Sequence, residues 1–145
     1  MQTISPSSLD LLVYDFDGVM TDNRVLLDYQ GGEFVSCTRA DGLGVDILRS
    51  MSLPQVILST ETNPVVSARG KKLQLPVLQG LVDKRQTLID YCAEQGFELG
   101  RVLYVGNDIN DLAAMQVVGY PVCPSDAHPD IRNLAFWVLA ARGGE

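Results

Sequence analysis

The stretch Leu9-Asp10-Leu11-Leu12-Val13-Tyr14-Asp15-Phe16-Asp17-Gly18 decides the fold. Leu9 to Tyr14 read as a short, mostly apolar strand of the kind buried on both faces of a parallel sheet. It ends on two carboxylates, Asp15 and Asp17. In extended chain residues i and i+2 point the same way, so both acids can face one site. Gly18 permits a sharp exit from the sheet. Crowded carboxylates repel each other, a divalent cation relieves that cost, and hard oxygen ligands favour Mg2+. Taken alone, the pair is equally an acidic turn in solvent.

Further apolar runs recur along the chain: Gln55 to Leu58, Pro76 to Leu78, Arg101 to Val105, Tyr120 to Cys123 and Phe136 to Leu139. Helical patterns fit the gaps between them. Asn63 can cap a helix with Pro64 at its first position, followed by Val65, Val66 and Leu73. Asp83 can cap another through Leu88, Ile89 and Cys92, stopped by Gly96. The alternation predicts an α/β fold, a three-layer doubly wound and mainly parallel sheet with its site at the carboxyl ends of the strands. One segment interrupts it: Arg24 to Tyr29 and Glu33 to Thr38 flank Gln30-Gly31-Gly32, which reads as an inserted β-hairpin at about 24–38. A lone two-stranded ribbon is marginal, so it is expected to pack on something, a neighbouring subunit included.

The 145 residues suit one domain, and repeats, low-complexity stretches and linkers are absent from them. With 46% hydrophobic and 20% charged residues the chain falls in the globular range. The net charge of -7 argues against nucleic-acid binding. No apolar run approaches the roughly 20 residues of a membrane helix, and the opening MQTISPSSLD lacks a leader pattern, so a cytoplasmic protein is expected. Cys37, Cys92 and Cys123 lack CxxC spacing and read as buried structural thiols, while His128 is the sole histidine and reads as a helix start. These exclude a disulfide scaffold and a zinc enzyme. Trp137, inside an apolar run, reads as core.

Three more polar clusters close strands or open helices. Ser59-Thr60 follow Leu58 and offer hydroxyls and N–H groups to a phosphoryl oxygen. Lys84 opens a helix, where a cation opposes the dipole and calls for a nearby anion. Gly106-Asn107-Asp108-Ile109-Asn110-Asp111 supplies a second oxygen-rich cluster at a second strand end.

In this order, the four clusters resemble those of haloacid-dehalogenase-superfamily phosphatases, whose motifs are DxD, Ser/Thr, Lys and an acidic Gly-Asp loop. The resemblance spans nearly the whole chain and implies an aspartyl-phosphate mechanism. It assigns Asp15 as nucleophile, Asp17 as acid and base, and Ser59 and Lys84 as holders of the phosphoryl group. Asp111 would orient Lys84. Asp15, Asp17 and either Asn107 or Asp108 would ligate Mg2+; where the family has Asp this chain has Asn107, and the choice stays open. The short hairpin in place of a cap domain resembles the capless subgroup, implying a homotetramer.

Within that subgroup, Ser59-Thr60-Glu61 with Arg69 and Lys72 resembles the branch acting on N-acylneuraminate or KDN 9-phosphate, and the related C-terminal domains of acylneuraminate cytidylyltransferases. It implies a sugar acid phosphate as substrate, contacted by Thr60, Glu61, Arg69 and Lys72. Physically, the Arg69 fork matches a carboxylate and Glu61 can accept sugar hydroxyls. The alternatives are a 3-deoxy-D-manno-octulosonate 8-phosphate phosphatase, a catalytically silent assembly domain kept open by Asn107, and a phospho-accepting receiver. The last places its acceptor on a later strand. The family's tail runs beyond the Arg-Gly-Gly signature, whereas this sequence stops at Arg142-Gly143-Gly144-Glu145, so contacts from a longer tail are not expected.

Overall fold

The computed structural model describes residues 3–145; Met1 and Gln2, which open the stretch read for a leader, lie outside the described residues. Along the chain run β1 (Leu11–Tyr14), β2 (Leu26–Leu27), β3 (Glu33–Phe34), α1 (Ala40–Ser50), β4 (Gln55–Leu58), α2 (Val65–Leu73) and β5 (Val77–Leu78). They are followed by α3 (Lys84–Gln95), β6 (Val102–Val105), α4 (Ile109–Met115), β7 (Tyr120–Cys123), α5 (Pro129–Leu134) and β8 (Trp137–Val138).

Six strands pair in parallel in the order β5-β4-β1-β6-β7-β8. The chain winds outward from β1 through β4 to β5, crosses over by α3, and winds the other way through β6, β7 and β8. The reversal falls between β1 and β6, whose ends carry the acidic clusters, the position where doubly wound sheets bind ligands.

Side chains alternate between two cores, as the strand period of two requires. Leu11, Val13, Val56, Leu58, Val102 and Tyr104 pack with Leu88, Met115 and Ile131 on the side of α3, α4 and α5. On the other side Ile57 packs with Phe16, Met20, Val45, Val66 and Leu73, the face of α1 and α2. Phe16 is fully buried between the two acids of the first motif. Burying such a ring is worth about 1.5–3 kcal/mol, which anchors the loop against the repulsion of its flanking carboxylates.

Several boundaries differ from the sequence reading. The first strand begins at Leu11 and not Leu9, because Pro6–Ser8 form a 3-10 turn whose Pro6 carbonyl accepts from Leu9 N. The third, fourth and last runs shorten to Val77–Leu78, Val102–Val105 and Trp137–Val138. The hairpin is present but pairs only Leu26 with Phe34 and Leu27 with Glu33; Asp28 Oδ1 accepts from Gln30 N and Gly32 N, each at 2.8 Å, to make its turn. A single bridge, Thr21 to Cys37, closes its base. The helix expected to start at Pro64 starts at Val65, since Pro64 is its cap residue, while Asn63 Oδ1 still accepts from Val65 N at 3.0 Å.

Trp137 is 45% exposed, contrary to the expected core position, because β8 is a two-residue edge strand whose outer side has no neighbour. Cys92 and Cys123 are buried, but Cys37 is only half-buried at the base of the hairpin; all three are free thiols. His128 caps α5 as read, with Nδ1 accepting from Asp130 N. The end of the chain returns to the first motif: Gly144 N donates to Val19 O at 3.0 Å, and Gly143 lies so close to Gly18 O that no side chain fits there. Among the described residues, no helix is long and apolar enough to cross a membrane.

Candidate active site

A polar pocket of about 70 Å3 opens at the sheet's switch point, lined by Asp15, Asp17, Asn23, Ser59, Thr60, Asn107, Asp108 and Asn110. Larger cavities of about 300 and 370 Å3 lie behind the loop that follows β1 and beside the C-terminal turn, and neither is lined by Asp15 or Lys84. The small pocket is the one that gathers the strand-end acids, amides and hydroxyls.

At its floor is a buried charge ring. Lys84 Nζ donates to Asp15 Oδ1 at 2.7 Å and to Asp111 Oδ1 at 2.8 Å, and all three side chains are almost wholly buried. The anion that a lysine in a helix's first turn calls for is thus a pair of carboxylates. Asp111 is held by three further donors: Tyr104 O–H at 2.8 Å on Oδ1, and Asn107 N and Asp108 N at 2.9 and 3.3 Å on Oδ2. Burial opposes the ammonium of Lys84, but the two carboxylates outweigh it and raise its pKa, so it stays charged. Burial and the Asp111 charge push Asp15 up to about 7, against the opposing pull of Lys84. Burial, followed by the Glu61 charge, also raises Asp17, which suits a group that must give up a proton.

Above the ring, the side-chain amide of Asn107 places one heteroatom 2.9 Å from Asp17 O and 3.0 Å from Asp15 Oδ2. Cis oxygens around an octahedral cation with bonds of about 2.1 Å lie about 3.0 Å apart, so these three positions fit edges of a Mg2+ coordination shell. Asp108 instead serves α4: its Oδ1 accepts from Ile109 N at 2.7 Å within a capping box shared with Asp111. Among the described residues no three His, Cys, Asp or Glu side chains converge as a metal cluster. The donor set here mixes one carboxylate, one main-chain carbonyl and one amide.

The remaining expected residues are placed as follows. Ser59 is buried at the end of β4, its Oγ accepting from Glu61 N at 3.1 Å, and Thr60 Oγ1 lies 3.4 Å from Asn110 Nδ2. Glu61 Oε1 accepts from Thr62 N and Asn63 N at 2.8 and 3.0 Å, and Arg69 Nη2 donates to Thr38 O at 2.8 Å. Lys72 is exposed on α2. Glu61, Arg69 and Lys72 do not line the small pocket, although the Glu61 charge acts on Asp17.

Three contributors escaped the sequence reading, Tyr104, Thr21 and Asn23, and Asn110 was read as part of its cluster without a role of its own. Thr21 is fully buried; its Oγ1 accepts from Gly18 N and Asn23 N at 3.2 and 3.1 Å and reaches Asp17 Oδ1 at 3.5 Å. Tyr104 carried a usable signal, because a phenol inside the apolar run VLYV must find a buried partner.

Residues 55–142 match the family model of haloacid dehalogenase-like hydrolases, and the chain belongs to that family. It is a phosphatase of the type represented by KdsC. The 3-deoxy-D-manno-octulosonate 8-phosphate phosphatase KdsC of Yersinia pestis is 30% identical over 139 residues, 95% of this chain and 74% of that protein. A structure described as a HAD family hydrolase from Streptomyces avermitilis superposes with a TM-score of 0.96 at 49% identity, covering 99% of this chain and 82% of that one. The 3-deoxy-D-manno-octulosonate 8-phosphate phosphatase of Moraxella catarrhalis, solved with magnesium, phosphate and KDO, superposes with a TM-score of 0.92 at 25% identity, covering 97% and 81%.

Proposed function

We propose that this chain is a Mg2+-dependent phosphomonoesterase for a 2-keto-3-deoxy sugar acid phosphate, with 3-deoxy-D-manno-octulosonate 8-phosphate as the leading ester. The observation that carries the reaction is the convergence of Asp15, Lys84, Asp111 and Asn107 at the switch point. The choice of the eight-carbon ester over the nine-carbon one expected from Ser59-Thr60-Glu61 rests on the names of the similar proteins.

Asp15 attacks phosphorus in line, forming an aspartyl-phosphate as the bond to the sugar oxygen breaks. Asp17 protonates that departing oxygen, then takes a proton from the water that attacks the aspartyl-phosphate, freeing inorganic phosphate and restoring Asp15. Lys84 and the Ser59 hydroxyl hold phosphoryl oxygens as charge spreads over them, and Asp111 with Tyr104 keeps Lys84 in place. Asp15, the Asp17 carbonyl and Asn107 would hold Mg2+, which offsets the repulsion between carboxylate and phosphate. Because Ser59, Asp15 and Asn107 stand on three different strand ends, the sheet sets their spacing.

Release of phosphate from the eight- and nine-carbon esters, with and without Mg2+, tests the reading. Metal-dependent turnover is expected, reduced by at least about 10³-fold in Asp15→Asn. Equal turnover in that variant would remove Asp15 as the nucleophile, and no release from either ester would favour the silent assembly domain. A tenfold preference for the nine-carbon ester would restore that substrate.

A further inference from the structure

Asp17 has two carboxyl oxygens, and acid catalysis needs its proton on the one that meets the departing sugar oxygen. What selects that oxygen rests on the phosphatase reading above and follows from a hydroxyl that does not itself line the pocket, that of the fully buried Thr21.

A hydroxyl has one proton to give and two lone pairs to fill. Both lone pairs of Thr21 Oγ1 are taken by main-chain donors, Gly18 N at 3.2 Å and Asn23 N at 3.1 Å. Its proton is left for Asp17 Oδ1 at 3.5 Å. The bond runs in this direction alone, because Oγ1 has no lone pair left to accept a proton from Asp17. Its length is at the upper limit for a hydroxyl donor, so it orients the carboxyl group more than it stabilises it.

Thr21 cannot turn away to another acceptor. A β-branched side chain is stiff at χ1, and the main chain is fixed from three sides: Thr21 N donates to Phe16 O at 3.2 Å, Thr21 bridges to Cys37, and Gly143 and Gly144 pack on its carbonyl. Asp17 does line the pocket, and its Oδ2 makes no hydrogen bond among the described residues. Burial and the Glu61 charge raise the pKa of Asp17, whereas the Thr21 bond lowers it. The hydroxyl therefore does not help Asp17 to take up its proton, and its effect is on where that proton sits.

We propose that Thr21 is a positioning residue for the acid: by donating to Asp17 Oδ1 it reserves Oδ2 for the proton. That proton passes from Oδ2 to the sugar oxygen as the bond to phosphorus breaks, and Oδ2 takes its replacement from the attacking water.

Comparison of kcat/KM on two kinds of ester tests this. The sugar ester that the unmodified chain turns over needs a proton on its departing oxygen, whereas p-nitrophenyl phosphate releases a stable phenolate without one. Thr21→Val keeps the shape and removes the hydroxyl; it is expected to lower kcat/KM at least about tenfold for the sugar ester and less than about threefold for the aryl ester. Thr21→Ser is expected to return both to within about threefold of the unmodified chain. Equal losses on the two esters, or an unchanged sugar ester, would overturn the proposal and leave Thr21 a purely structural residue. Should Thr21→Val not fold, the unmodified chain decides: its Thr21 hydroxyl proton is expected as a nuclear magnetic resonance protected from exchange with water, and exchange too fast to observe would overturn the proposal. No turnover of any of these esters by the unmodified chain would instead sink the phosphatase reading, and the role of Asp17 with it.

Discussion

Gly18 bears two demands at once: its φ of +81° is left-handed, and an added Cβ would overlap the Asn107 amide. Gly18→Ala is expected to cost about 1–2 kcal/mol from the backbone alone. By displacing Asn107 it should also weaken Mg2+ binding at least about tenfold, the range seen when a ligand's support is removed. A thermal melt and a Mg2+ titration on the same sample check both. At this scale the sequence was informative wherever the chemistry is local. Asp15 and Asp17 are two residues apart on one strand end, so their shared direction follows from chain geometry. The partners of Lys84 lie 69 and 27 residues away; its place in a helix's first turn called for an anion, but Asp111 was legible only through the family resemblance and the direct bond to Asp15 not at all. Tyr104 shows the same limit, since its O–H meets a residue on the following helix that only the packed β6–α4 turn brings near.

Lys84 is the first residue of α3, and Asp83 caps that helix by accepting from Gln86 N at 3.0 Å. Asp83→Ala is expected to lower stability by about 0.5–2 kcal/mol, read from the urea midpoint, with Asp83→Asn restoring most of it. Phosphate release should fall in the alanine variant, because the first turn that fraying loosens is the one that aims Lys84. The cap of α3 was legible because Asp83 and Gly96 bracket an unbroken helical pattern. Helix α1 was not. Gly42 and Gly44 weaken its propensity, and its apolar residues serve two sides: Val45 is buried, whereas Leu43, Ile47 and Met51 form an exposed stripe at helical spacing.

The hairpin governs behaviour at the level of the molecule. Val25, Leu26, Leu27, Tyr29 and Phe34 are all exposed, Tyr29 at 95%, on a ribbon whose two-residue strands bury nothing of their own. Exposed apolar side chains grouped on one ribbon are what an interface would cover, and the homotetramer that the capless resemblance implies is a proposal that this ribbon makes testable. Sedimentation is expected to give a species several times the 15.8 kDa chain, and Leu26→Glu with Phe34→Glu to return it to that mass. A monomer before substitution would remove the assembly from the account. The sequence announced the ribbon through Gln30-Gly31-Gly32 but not its shortness, because Asp28 takes over the turn with its side chain.

The last residues couple to the first motif across most of the chain's length. Gly144 donates to Val19, and Gly143 leans on Gly18 with no room for a side chain between them. Glu145 is tied into the same turn, its N–H donating to Arg142 O at 3.2 Å and its Oε2 accepting from Arg142 N at 3.1 Å, so the turn and the loop that follows Asp15 bear on each other directly. A dye attached there becomes a strain gauge for that loop, and a tether pulling there becomes a brake on it.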